Sequence, residues 1–121
     1  MDAEIAYLRL KSIALMEFPD VVISASVPRG HLNVAKSLRL FLTDNSFVEI
    51  WISNEKYSYH WQRTDGKIYR HDNAPHKKHK HIATFPKHFH HGSEDNVKES
   101  KISNNHEIAI MEILAFVREN I

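Results

Sequence analysis

Three turn signals, Asp44-Asn45, Asn54-Glu55 and Asp65-Gly66, cut the middle of this chain at intervals of ten or eleven residues. The segments between them carry the β-branched and aromatic residues that suit pleated backbone. Asp-Gly between two such runs is a strong hairpin signal. Short, even connections make sequential neighbours pair. The predicted strands are Leu32 to Thr43, with leucines alternating at Leu38, Leu40 and Leu42, then Phe47 to Ser53, Tyr57 to Arg63 and Ile68 to Asn73. A β-branched segment, Val21 to Val27, precedes them and ends at Pro28-Arg29-Gly30.

Helices are expected at the two ends. Asp2 can cap a helix over residues 2–16, with Ile5, Leu8, Leu10 and Ile13 on its apolar side. Phe18-Pro19-Asp20 stops it, because the residue before proline is pushed out of helical backbone. Asn104 with Glu107 three residues on reads as a capping box for a second helix over residues 105–120. Ile110, Ile113, Leu114, Val117 and Ile121 form its stripe. The expected architecture is therefore α+β. A single domain over residues 1–121 carries about five antiparallel strands over 21–73, with both helices packed on one face and a His/Lys-rich loop over 74–104.

Composition excludes several classes. No stretch is apolar for the length that a membrane helix needs, and the first residues lack a basic start followed by an apolar run, so the cytoplasm is the expected location. With no cysteine there are no disulfides or thiolate metal sites, and any metal must use imidazole and carboxylate. The net charge of +1 gives no overall pull toward nucleic acid. Its distribution is uneven: seven Lys/Arg against two Asp lie between Arg63 and Gly92. Eight of the ten histidines lie between Tyr57 and Gly92, each with an unperturbed pKa of about 6.5.

Centring each turn on its two signal residues predicts the faces of the sheet. Glu49 is then opposite His60, and His60 opposite His71. Glu49, His60, Gln62, Tyr69, His71 and Asn73 share one face, with Leu38, Leu40 and Leu42. Val48, Ile50, Ile52, Tyr57, Tyr59, Trp61, Ile68, Arg70 and Asp72 share the other. A slip of one residue in either hairpin reverses part of this assignment.

The residues after the last strand suggest chemistry, each with a plainer alternative. Asp72-Asn73-Ala74-Pro75 suits a strand-to-loop turn, since Asp and Asn side chains bond backbone two residues on. His76, His79 and His81 have the spacing of three metal-binding imidazoles. The interleaved Lys77, Lys78 and Lys80 oppose a dication, and no carboxylate lies between Asn73 and Gly92, so a solvated basic loop without metal is expected. Lysine and histidine together suit phosphate. Trp51, Tyr59, Trp61 and Phe85 can stack bases, although aromatics on a sheet are more often core. Arg70 and Asp72 point the same way from one strand, either as an ion pair or as a phosphate clamp beside a carboxylate that orients a histidine. His31 and His106 are expected at the surface.

The motif HDNAPH (His71 to His76), preceded by YSYHWQ (Tyr57 to Gln62) and followed by TFPKHFHHG (Thr84 to Gly92), resembles the TumE-type toxins, small prokaryotic proteins described as the toxic half of toxin–antitoxin pairs. Arg70, Asp72, Asn73, His76 and His88 match that pattern, while His71, Lys77 and Lys87 depart from it. The resemblance implies a cognate antitoxin, expected to bind DNA, as partner. On the residues, the first functional reading is a small metal-independent ribonuclease needing no cofactor. Its candidate catalytic residues are His60, Arg70, Asp72, Asn73, His76 and His88, and its candidate substrate-binding residues are Lys77, Lys78, Lys80 and Lys87. Two histidines and a cation suffice for RNA phosphodiester cleavage. The alternatives are a non-catalytic protein that binds an antitoxin and a cellular target, and a His-rich metal-binding protein. Self-association into a homodimer is left open.

Overall fold

A computed structural model describes residues 2–121. Helix α1 (Ala3–Glu17) is capped by the Asp2 side chain, which accepts from the Glu4 amide at 3.0 Å. It buries Tyr7, Leu10 and Ala14, whereas Ile5 and Leu8 face outward. The Tyr7 hydroxyl accepts from the Ile52 amide at 2.9 Å and pins the helix to the sheet. Helix α2 (His106–Asn120) is capped by Asn105 rather than Asn104, its side chain accepting from the amides of Glu107 and Ile108. Ile110, Ile113, Leu114 and Val117 of the expected stripe are buried, and the terminal Ile121 is exposed.

Between the helices runs one seven-stranded antiparallel meander in sequence order. Its strands are β1 (Val22–Ser26), β2 (Leu38–Leu42), β3 (Phe47–Ile52), β4 (Tyr57–Gln62), β5 (Ile68–Asp72), β6 (His88–Gly92) and β7 (Val97–Glu99). The α+β class and the helices on one face agree with expectation; the count of about five strands does not. The two additional strands, β6 and β7, lie inside the region read as loop. The first half of the long β2 prediction is instead a 3₁₀ turn at His31–Asn33 and a single bridge, Arg29 to Ala35.

The register corrects the expected faces. The Asn54-Glu55 turn is a two-residue loop closed by Ser53 and Lys56, so Glu49 does lie opposite His60. The other two hairpins have three-residue loops. Arg63 pairs with Lys67 around Thr64-Asp65-Gly66, and Leu42 with Ser46 around Thr43-Asp44-Asn45. In each, the third residue takes left-handed backbone, Gly66 at φ 89° and Asn45 at φ 70°. Such a loop is a tight turn followed by a one-residue bulge, and the aspartate accepts from the amide two residues on, at 3.0 Å in both. The bulge shifts pairing by one residue, which exchanges the faces. His60 lies opposite Arg70, and His71 opposite Tyr59. The expected Glu49–His60–His71 row does not form.

Leu38, Leu40 and Leu42 consequently point with Val48, Ile50, Ile52, Tyr57, Tyr59 and Trp61 toward the helices and form the buried core. Tyr69 and His71 join that side. Arg70 and Asp72 join Glu49, His60 and Gln62 on the opposite, open face.

Candidate active site

Strand β6 completes the open face. His88 and His90 lie beside Asp72 and Arg70, while Phe89 and His91 alternate to the helix side and pack against Tyr69 and Phe116. Two rows cross the open face: Trp51–Ser58–Asp72–His88 and Glu49–His60–Arg70–His90. The segment between β5 and β6 is a chain of tight turns from His76 to Lys87. It folds back over the sheet and buries His79 and Ile82, while His76, Lys77, Lys78, Lys80 and His81 stay exposed. The solvated loop expected there is thus only its outer side.

Under this segment lies a cleft of about 230 Å³. Trp51, Lys56, His76 and Lys78 stand around it with Asp72, His79, His88 and His90. Asp72 is 8% exposed, with one hydrogen bond to each carboxylate oxygen and two imidazoles close by. Its Oδ1 accepts from the Ala74 amide at 3.0 Å, and its Oδ2 accepts from Arg70 Nε at 3.1 Å. His88 Nε2 lies 3.0 Å from Oδ1 and His90 Nε2 lies 3.6 Å from Oδ2. Burial alone would raise the Asp72 carboxyl, but the His90 ring, the Ala74 amide, the His88 ring and Arg70 outweigh it and hold it at about 2.

Arg70 is the clamp behind Asp72. Both of its terminal nitrogens donate to the Glu94 carboxylate at 2.7 Å, a bidentate pair, and its Nη1 lies 3.4 Å from His60 Nδ1. Glu94 is held below its usual range by Arg70. His88 and His90 are oriented from behind: His88 Nδ1 donates to the Pro86 carbonyl at 3.0 Å and His90 Nδ1 to the Glu94 carbonyl at 2.9 Å. Burial, with His88 and Lys78 close by, lowers the His79 imidazole toward its neutral form.

The expected site residues separate into three groups. Asp72, His76, His88 and Lys78 meet at the cleft, with Arg70 as the support of Asp72. Asn73 also reaches it, but its side chain accepts from the Tyr57 amide at 3.0 Å and donates to the Glu55 carbonyl at 2.8 Å, locking the strand-end corner to the neighbouring turn. His60 lies outside the cleft against Arg70 and Gln62. Lys77 and Lys80 point to solvent, and the Lys87 ammonium donates to the Ile102 carbonyl. His71 stacks on Phe89, ring centres 4.1 Å apart, on the helix side. His106 is half-buried, its ring bonded to the Tyr59 hydroxyl, and not a free surface residue.

His90 and Glu94 were not among the predicted site residues, and His79 and Trp51 were expected only as a loop imidazole for metal and as a ring for stacking. The alternation His88-Phe89-His90-His91 was the one sequence signal of His90, masked because imidazole does not count as apolar. A family model described as Toxin TumE matches residues 11–121 of the chain. No curated protein and no solved structure matches it.

Proposed function

The chain belongs to the TumE toxin family, and from that premise we propose that it acts by cleaving RNA in the cleft over Asp72. The observation that supports this reading is the company kept by that one carboxylate. An exposed tryptophan, two lysines and a solvent-facing imidazole surround a buried centre of three histidines beside Asp72. Trp51, 43% exposed, offers a nucleobase a stacking face. Lys56 and Lys78 offer point charge to phosphate.

Internal cleavage of RNA needs a base for the 2′-hydroxyl proton, a proton for the leaving 5′-oxygen and positive charge for the phosphorane. His76 is the exposed imidazole at the rim, its ring centre 6.2 Å from that of His79, and takes the base role. Lys56 and Lys78 at the rim supply the positive charge, and the leaving 5′-oxygen takes its proton from solvent at the open mouth of the cleft. Arg70 has its donors committed to Asp72 and Glu94, so it and Asn73 are positioning residues rather than phosphate ligands. The proposed partner is a cognate antitoxin, a DNA-binding protein on the expectation above.

Purified protein incubated with a synthetic oligoribonucleotide tests the reading. His76→Ala is expected to slow cleavage about 10²–10⁴-fold with an unchanged circular-dichroism melt. Intact RNA after incubation with wild-type protein that still arrests growth would refute it.

A further inference from the structure

The three buried histidines of the cleft are arranged for more than a hydrogen-bond network. One ring nitrogen from each of His79, His88 and His90 lies within 4.8 Å of the other two. All three residues are nearly closed to solvent, at 6%, 1% and 5% exposure.

The hydrogen positions follow from the partners. Backbone carbonyls only accept, so Nδ1 of His88 and Nδ1 of His90 must both carry hydrogen. In the neutral rings each Nε2 then presents a lone pair, and both lone pairs face the oxygens of Asp72, at 3.0 and 3.6 Å. Lone pair against carboxylate is repulsive unless a cation stands between them. No hydrogen bond relieves this at His88. Its Nε2 lies close to Asp72 Oδ1 but lacks the alignment of a hydrogen bond, and this buried atom has no hydrogen-bond partner among the described residues. Protonating all three rings would also gather three charges within 4.8 Å beside one carboxylate already paired with Arg70. A dication bound by neutral rings brings two.

We propose that His79, His88 and His90 form a binding site for a divalent transition-metal ion of the zinc class, with Asp72 as the adjoining carboxylate. Imidazole suits zinc, nickel and copper. A backbone carbonyl behind Nδ1 is the usual support of a metal-ligating histidine, fixing the tautomer that frees Nε2. Zinc–nitrogen bonds of about 2.0–2.1 Å place tetrahedral ligand atoms roughly 3.3 Å apart, so the rings close inward on the ion. Of the lysines that argue against a metal on His76, His79 and His81, Lys77 and Lys80 stand on the outer side of the loop with exposed His81. Lys78 stays at the cleft rim with exposed His76, facing a site whose carboxylate offsets its charge. The fold replaces His76 and His81 with buried His88 and His90 and supplies the carboxylate that the loop lacks. The site does not rest on RNA being the substrate.

The test is a titration of the tag-free full chain, stripped with chelator, with Zn²⁺ alone, followed by calorimetry and by the melting temperature. The expected result is one ion per chain and a melting temperature that rises with Zn²⁺. His79→Gln and His90→Gln should each weaken binding at least 100-fold, and Asp72→Asn about 10–100-fold. His81→Ala should change nothing. His79 sits on the covering loop, so His79→Gln keeps the test informative if His90→Gln fails to fold. Absence of saturable binding, or binding that survives His79→Gln and vanishes with His81→Ala, overturns the site. No RNA enters the titration, so a failed cleavage assay leaves it untouched, and chelator-resistant cleavage would leave the RNA reading standing without it.

Discussion

The two tryptophans of this chain sit on adjacent strands and opposite faces of the sheet, and they divide the molecule by role. Trp61 is 1% exposed, its ring centre 5.2 Å from that of Tyr69 and 6.1 Å from that of Phe116, its Nε1 donating to Ser46 Oγ at 2.9 Å. Trp51 is 43% exposed at the mouth of the cleft. The helix face buries leucine, isoleucine, valine and aromatic rings, and gains stability roughly in proportion to the apolar area covered. The open face between β5 and β6 buries Asp72, His79, His88 and His90 under a loop. Buried charge returns its desolvation cost only through good partners, so this half of the sheet holds the fold less than the helix face does. Groups that break the rule of an apolar interior at one place point to function there.

Substituting the two rings is the strongest way to break this comparison. Trp61→Ala should cost about 3–5 kcal/mol out of a total of about 5–15, lowering the melting temperature by roughly 10–20 °C. Trp51→Ala should stay within about 0.5 kcal/mol. Equal losses in thermal denaturation would mean that the faces are not energetically distinct.

Acid sharpens the comparison with a smaller effect. On the helix face, burial lowers the His71 imidazole to about 4, with Lys87 adding to it. Above about 6.5 that ring is neutral in folded and unfolded chains alike. Between about 6.5 and 4 the unfolded chain holds a proton that the folded chain lacks, so stability falls as pH falls. At about 1.4 kcal/mol for each tenfold change in proton affinity, the loss is at most about 3.5 kcal/mol. His79 and His106, also lowered by burial, add to this window. On the open face, Asp72 is depressed to about 2, so its contribution is present above its ordinary value of 3.8 and is lost between there and about 2. Denaturant midpoints against pH should show both steps, the upper one reduced in His71→Phe and the lower one reduced in Asp72→Asn. A flat profile from pH 7 to 4 would contradict the burial of His71.

The same contrast explains what the sequence disclosed. The meander was legible because Asp44-Asn45, Asn54-Glu55 and Asp65-Gly66 punctuate it, and the core of α2 because its isoleucines recur at helical spacing. The faces were not, because an Asp-Gly or Asp-Asn pair does not say whether the loop holds two residues or three. Gly66 and Asn45 in left-handed backbone decide it, and one residue exchanges Arg70 for His71. β6 was hidden because its inward residues are histidines, and β7 because it is three residues long. Asp72 and His76 could be selected from the motif itself. His79, His90 and Glu94 reach Asp72 only through the covering loop and two strand pairings, contacts that no local pattern encodes.

The central claim is that the open face carries toxicity while the helix face carries stability, and colony formation after induction at matched protein abundance tests it most directly. His76→Ala and Trp51→Ala should restore colonies with melting temperatures unchanged. Ile113→Val, which trims the core for about 0.5–1.5 kcal/mol, should lower the melting temperature and remain toxic. Full toxicity of both open-face variants at wild-type abundance would contradict the account.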